Sequence, residues 1–209
     1  MKRKLLLFSA VLLLSSLTVS AQELYSKIGA IPQETVFAGS IPSEPDASAV
    51  LLKEEIVTRF VFKNDTFLYE TDHFVRIKIL KEEGLKYATT RVNYNIASAE
   101  SPERVKGISA AVFNWNGKKY VGKYISKKKG ITDVALSPSE HQKVISLADA
   151  KVGSVVEFTY TLVSNQLESI RPWQVQRDIP VVDATYRITI PEYLYYDIKR
   201  MGYPSKCWR

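Results

Sequence analysis

Residues 151–164 read KVGSVVEFTYTLVS. Val156, Phe158, Tyr160 and Leu162 fall on one side of this stretch, and Glu157, Thr159 and Thr161 on the other. An alternation of period two in a run rich in β-branched and aromatic residues describes a strand with one apolar face. Val152-Gly153, just before it, reads as the turn from a preceding strand in KVIS, residues 143–146.

The same pattern recurs in both directions. In AVLLKEEIVTRFVF, residues 49–62, the alternation puts Val50, Leu52, Ile56, Phe60 and Phe62 on one face, with Lys53, Glu55 and Arg59 opposite. Asn64-Asp65 reads as a turn into residues 67–80, where Val75, Ile77 and Ile79 alternate with Phe74, Arg76 and Lys78. Glu83-Gly84 closes that strand, and YATTRVNY is a shorter, more polar one. In GISAAVFNWNGKKYVGKYI, Asn116-Gly117 predicts a two-residue type I′ hairpin. SKKKGITDVALSPSEHQ reads as a connection whose three lysines form a solvated loop tip. Ala184, Tyr186, Ile188 and Ile190 alternate with Thr185, Arg187 and Thr189 until Pro191, which cannot donate to a ladder. YLYYDIKRM predicts one more strand. No helical period competes. The expectation is an all-β fold, an antiparallel β-sandwich of about nine or ten strands over residues 46–209, its C-terminal side incomplete.

Two segments precede it. Residues 1–21 read as a signal peptide: Lys2, Arg3 and Lys4, an apolar run over 5–19, then small residues ending at Ala21 as the cleavage position. The run is shorter than the roughly 20 residues a membrane span needs. No cysteine follows it to accept lipid, and no later segment is apolar enough to span. Residues 22–45 form a polar arm broken by Pro32, Pro42 and Pro45, with Tyr25, Ile28 and Val36 able to pack on a neighbour. Export to the periplasm or outside of a Gram-negative cell is the expected address. Cleavage takes 21 residues and three positive charges, so 209 residues at +7 become 188 at +4. That charge is ordinary for a soluble surface and gives no reason to expect nucleic acid as a partner. The only cysteine, Cys207, permits no intrachain disulfide.

Groups for chemistry are sparse. His73 and His141 lack the neighbouring ligands a metal needs, so neither metal nor cofactor is expected. Cys207 lies at the chain's last residues, where little holds a nucleophile's geometry. No residue is assigned a catalytic role. Trp115, at the Asn116-Gly117 tip, is the candidate ligand-surface aromatic, and it would mark a carbohydrate-binding module if it headed a coplanar row. Trp173 stands between Pro172 and Pro180 in SIRPWQVQRDIPVVD. It is read as structural, sealing the end of the sandwich, as are Pro180, Gly153, Asn116 and Gly117.

DASAVLLKEEIVTRF, HFVRIKIL, GISAAVFNWNGKKY, LADAKVGSVVEFTYTLVS and PWQVQRDIPVVDATYRITIP, in this order, resemble the domain of unknown function 3857. The most specific pieces are AKVGSVVEFTY and the Trp-x-x-Gln…Ile-Pro-Val run. The resemblance covers residues 46–209, and none of its motifs is catalytic. It implies the N-terminal β-sandwich of secreted bacterial proteins that continue into a transglutaminase-like domain with a Cys-His-Asp triad in that order. No histidine or aspartate follows Cys207, so that catalytic part is expected to lie outside this chain. The first expectation is therefore a non-catalytic accessory or interaction domain, with a transglutaminase-like domain as partner and peptide or polysaccharide as candidate ligand. A carbohydrate-binding module is the second and an independent hydrolase the third.

Overall fold

Strand β1 (Ala49–Lys63) runs antiparallel to β2 (Thr66–Ile79) through nearly its whole length. The two join at Asn64 and Asp65, whose φ values of 50° and 56° make a type I′ turn. The computed structural model describes residues 24, 26–32, 44–97, 102–168, 170–199 and 201. The leader with Ala21, and also Tyr25, Val36, Pro42 and Cys207, lie outside them.

β2 pairs with β8 (Val155–Ser164), β8 with β4 (Arg104–Trp115), and β4 with β5 (Tyr120–Tyr124). On the other side β9 (Ala184–Thr189) joins β1 in parallel. The result is a six-stranded sheet, ordered β5-β4-β8-β2-β1-β9. A second sheet, β3-β7-β6, is built from β3 (Thr89–Asn95), β6 (Ile131–Ala135) and β7 (Glu140–Ser146). The all-β, sandwich-like expectation holds, with nine strands among the described residues.

Six expectations need correction. A β-bulge lies between Leu51 and Lys53, so Leu51 shares a face with Glu54 and Ile56, and Val50 does not. The Asn116-Gly117 hairpin is not a two-residue turn. Trp115 pairs with Tyr120, leaving four residues in the loop, and only Gly117 has positive φ, 93°. Asn116 Oδ1 holds this loop by accepting from the amides of Lys118 and Lys119. The expected connection contains a short helix, α1 (Lys127–Gly130), followed by β6, which alternation missed because most of β6 is exposed. A 3₁₀ helix, Glu82–Ala88, fills the span read as a simple turn. The described residues of 193–201 form no strand, since no neighbouring edge pairs with them. The parallel direction of β9 also departs from an all-antiparallel sheet.

The core lies between the sheets at one end. Leu51, Ile77, Ile79, Ala110, Val112, Val156 and Phe158 of the large sheet meet Ile145, Leu147 and Ala88. The outer face of the large sheet is unusual in burying charge. Glu55 is 1% exposed and Glu157 0%. The arm covers them. Ile28 and Ile31 pack on Ala111, Phe113 and Val155. Ser26 N–H donates to Glu55 (2.9 Å) and Gly29 N–H to Glu157 (2.7 Å). Arg76 completes the network, giving Nε to Glu157 (2.5 Å) and Nη2 to the Ala30 carbonyl (2.7 Å). Arg187 pairs with Glu55. Buried charges are tolerated when paired and hydrogen-bonded in this way.

Candidate functional site: a cleft between the sheets

Three strands cannot cover six. Beyond the core, the inner face of β1, β2, β8 and β9 is roofed, among the described residues, by the edge of β3 and by residues 170–179, which cross over it. The space left is a cleft of about 610 Å³. Its floor carries Glu54, Ile56 and Thr58 from β1, Thr71, His73 and Val75 from β2, Tyr160 and Leu162 from β8, and Tyr186 from β9. These are alternate residues of each strand, which is why they share one face.

Hydroxyls and rings dominate the floor. Thr58 Oγ1 lies 2.9 Å from Thr71 Oγ1 and 3.2 Å from the Tyr186 hydroxyl. The His73 and Tyr160 rings stack at 4.5 Å. Burial holds His73 down at about 4, so the imidazole is neutral at physiological pH. Burial also pushes the Tyr160 phenol well above its ordinary value. His73 is thus a poor acceptor of protons and Tyr160 a poor donor, the reverse of a tuned acid–base couple.

The wall is fixed by ion pairs. Trp173 Nε1–H donates to Glu54 Oε2 (2.9 Å), and Arg177 Nη2 donates to Glu54 Oε1 (2.7 Å). The half-buried Trp173 ring sits 5.6 Å from Tyr186. Arg171 Nη1 donates to the Asn93 carbonyl (2.6 Å), and its Nη2 pairs with Glu103. Pro180, which needs no partner for a missing N–H, offers its carbonyl to Leu51 N–H at 2.9 Å. Sequence reasoning passed over Glu54. Its signal was a carboxylate at the same parity as Ile56 and Phe60.

The remaining candidates lie elsewhere. Trp115 is 39% exposed and meets Tyr120 edge to face at 65°, so the two rings are not coplanar. Gly153, φ 86°, turns the chain into β8 and gives its N–H to the Ile79 carbonyl. His141 belongs to a cluster on the small sheet. Its Nδ1 is 3.7 Å from Asp133, which also pairs with Lys143 (2.8 Å) and accepts from the Tyr94 hydroxyl. Burial and the Asp133 hydrogen bond raise the Tyr94 phenol. Burial alone would lower the Lys143 amine, but Asp133 outweighs it and raises the amine. Both shifts oppose proton release, as in a structural ion-pair cluster. No group of three or more metal-ligating side chains occurs among the described residues. No helix among them is long and apolar enough to cross a membrane.

Residues 67–206 match the family model of DUF3857, a domain of unknown function with solved structure. The chain belongs to the DUF3857 family. The DUF3857 fold is matched by the crystal structure of a "putative protease" from Parabacteroides distasonis. The TM-score is 0.53 at 13% identity, covering 69% of this chain and 29% of the other. This chain therefore spans under a third of that protein, and the likeness speaks for the fold alone. A mutant M1 zinc metallopeptidase from Deinococcus radiodurans aligns at TM-score 0.29 and 12% identity, over 73% of this chain and 34% of that one. A likeness this slight carries no argument. No curated protein matches the chain.

Proposed function

We propose that this DUF3857 chain is a non-catalytic, exported interaction domain that presents the inter-sheet cleft to a ligand. In a longer protein it would stand before a transglutaminase-like domain. The observation that carries the reading is the state of the cleft's ionisable groups. Glu54 is committed to Trp173 and Arg177, Arg171 to Glu103, and His73 is held neutral against Tyr160. A hydrolase needs a base free to take a proton from a nucleophile beside it. A binding site needs concavity, rings and a few placed polar groups, and those are here.

The reading expects no turnover. Purified chain, incubated with casein peptides and glutamine-containing amides, leaves them intact by mass spectrometry. Cleavage that disappears in His73→Ala or Cys207→Ala would replace this reading with a hydrolase. The export half is tested separately, by N-terminal sequencing of protein recovered from the periplasm, which should begin at Gln22.

A further inference from the structure

We propose that the open edge of β3, above the cleft, takes a short extended peptide bearing a carboxylate, added to the small sheet as a further strand. This deepens the interaction-domain reading and rests on it.

The first ground is the direction of the β3 main chain. In its pairing with β7, Ile96 N–H reaches Ser139 and the Ala88 carbonyl receives Leu147, so even-numbered residues face β7. Odd-numbered residues face away. Asn95 gives its N–H to Glu103 Oε2 and its carbonyl to Glu103 N–H, while the Asn93 carbonyl accepts from Arg171. Two side chains thus close one end of the edge. The alternation leaves the N–H and C=O of Arg91 and the N–H of Asn93 aimed at the space beside the strand. An edge with main-chain groups on offer is a template for another strand.

The second ground is what lies beneath. A strand beside β3 would roof the part of the large sheet that the small sheet leaves uncovered. Its inward side chains would enter the cleft over Ile56, Val75, Tyr160 and Leu162. Its polar atoms would meet the Thr58, Thr71 and Tyr186 hydroxyls. Stacked sheets normally fill this layer with side chains from both sides, and here the crossing segment 170–179 stands in for a strand and leaves the cleft unfilled.

Charge selects the class of peptide. Among the cations around the cleft, Arg177 is paired with Glu54 and Arg171 with Glu103. Arg91, on the open edge itself, is exposed and joins none of the ion pairs among the described residues. An acidic residue on the incoming strand would supply one.

The test uses the chain as it exists and an acetylated probe peptide, Val-Thr-Val-Glu-Val-Thr. Amide hydrogen exchange is followed by NMR as probe is added. Exchange at Arg91 and Asn93 should slow by about tenfold or more at saturation, while Val92, already bonded to β7, stays unchanged. A probe N-methylated at alternate residues should not protect them. Arg91→Glu should weaken the acidic probe about fivefold and favour a probe with lysine in place of glutamate. No saturable binding, equal binding of the N-methylated probe, or protection confined to other strands overturns the proposal. Cleavage of the probe would overturn the non-catalytic reading, while protection at Arg91 and Asn93 would leave strand addition standing.

Discussion

Replacing Arg76 by methionine should be among the most damaging single changes in this chain. The guanidinium sits on the outer face of the large sheet, 2.5 Å from a Glu157 carboxylate that is 0% exposed. It also ties down the arm through the Ala30 carbonyl. Methionine matches much of the volume and keeps contact with Phe74, over whose ring the guanidinium lies at 5.3 Å. Among the described residues it leaves Glu157 with the Gly29 amide alone. Stranding one member of a buried pair costs about 3–5 kcal/mol. With a urea dependence of about 2 kcal/mol per molar, the unfolding midpoint should fall by about 2 M at unchanged slope. The double variant Arg76→Met/Glu157→Gln removes the charge and keeps an acceptor for Gly29, so it should recover more than half of the loss. Urea unfolding followed by circular dichroism reads all three proteins. A loss under about 1 kcal/mol for Arg76→Met would mean that Glu157 is hydrated and the arm does not cover this face.

Other expectations follow from the cleft and the core. Histidine in the unfolded chain takes up a proton near pH 6.5, whereas His73 in the fold resists until about pH 4. Stability should therefore fall as pH drops from 6.5 through 4, by at most about 3 kcal/mol from this residue. His73→Phe should flatten that part of the pH–stability curve, as measured by urea unfolding at both ends. Gly84→Ala would drive a methyl group into the Ser48 carbonyl, which also accepts the Leu80 and Lys81 amides. The expected loss is about 2–3 kcal/mol, seen as a lower melting temperature. Trp173→Phe keeps a ring near Tyr186 but removes the donor to Glu54. It should cost about 1.5–3 kcal/mol by the same unfolding assay.

The strands that were legible from sequence are those with one apolar face. β8 and the second half of β2 alternate without interruption, and the structure keeps that parity in Phe158, Tyr160, Val75 and Ile77. The β1 register was not legible across Leu51 and Lys53, because a bulge shifts parity without any Gly or Pro to announce it. β6 was hidden by its exposure. The direction of β9 depends on where the chain crosses, and no local pattern encodes that. The cleft was less legible still. Its floor comes from four strands and its wall from a segment more than a hundred residues after Glu54, so no single window contains it. Two clues were nonetheless local: a glutamate on an apolar parity and a tryptophan amid glutamines and arginines. They describe one contact, Trp173 Nε1–H to Glu54.

The sheets enclose an open cleft at one end and a filled core at the other. Thiol labelling measures this directly. In a Cys207→Ser background, Val75→Cys lies on the cleft floor and Val156→Cys in the packed core. Native protein, treated with a small methanethiosulfonate reagent without denaturant, should label at Val75→Cys within minutes and at Val156→Cys only on unfolding. Equal protection of the two sites would show that the cleft is filled, and the binding role assigned to it would fall.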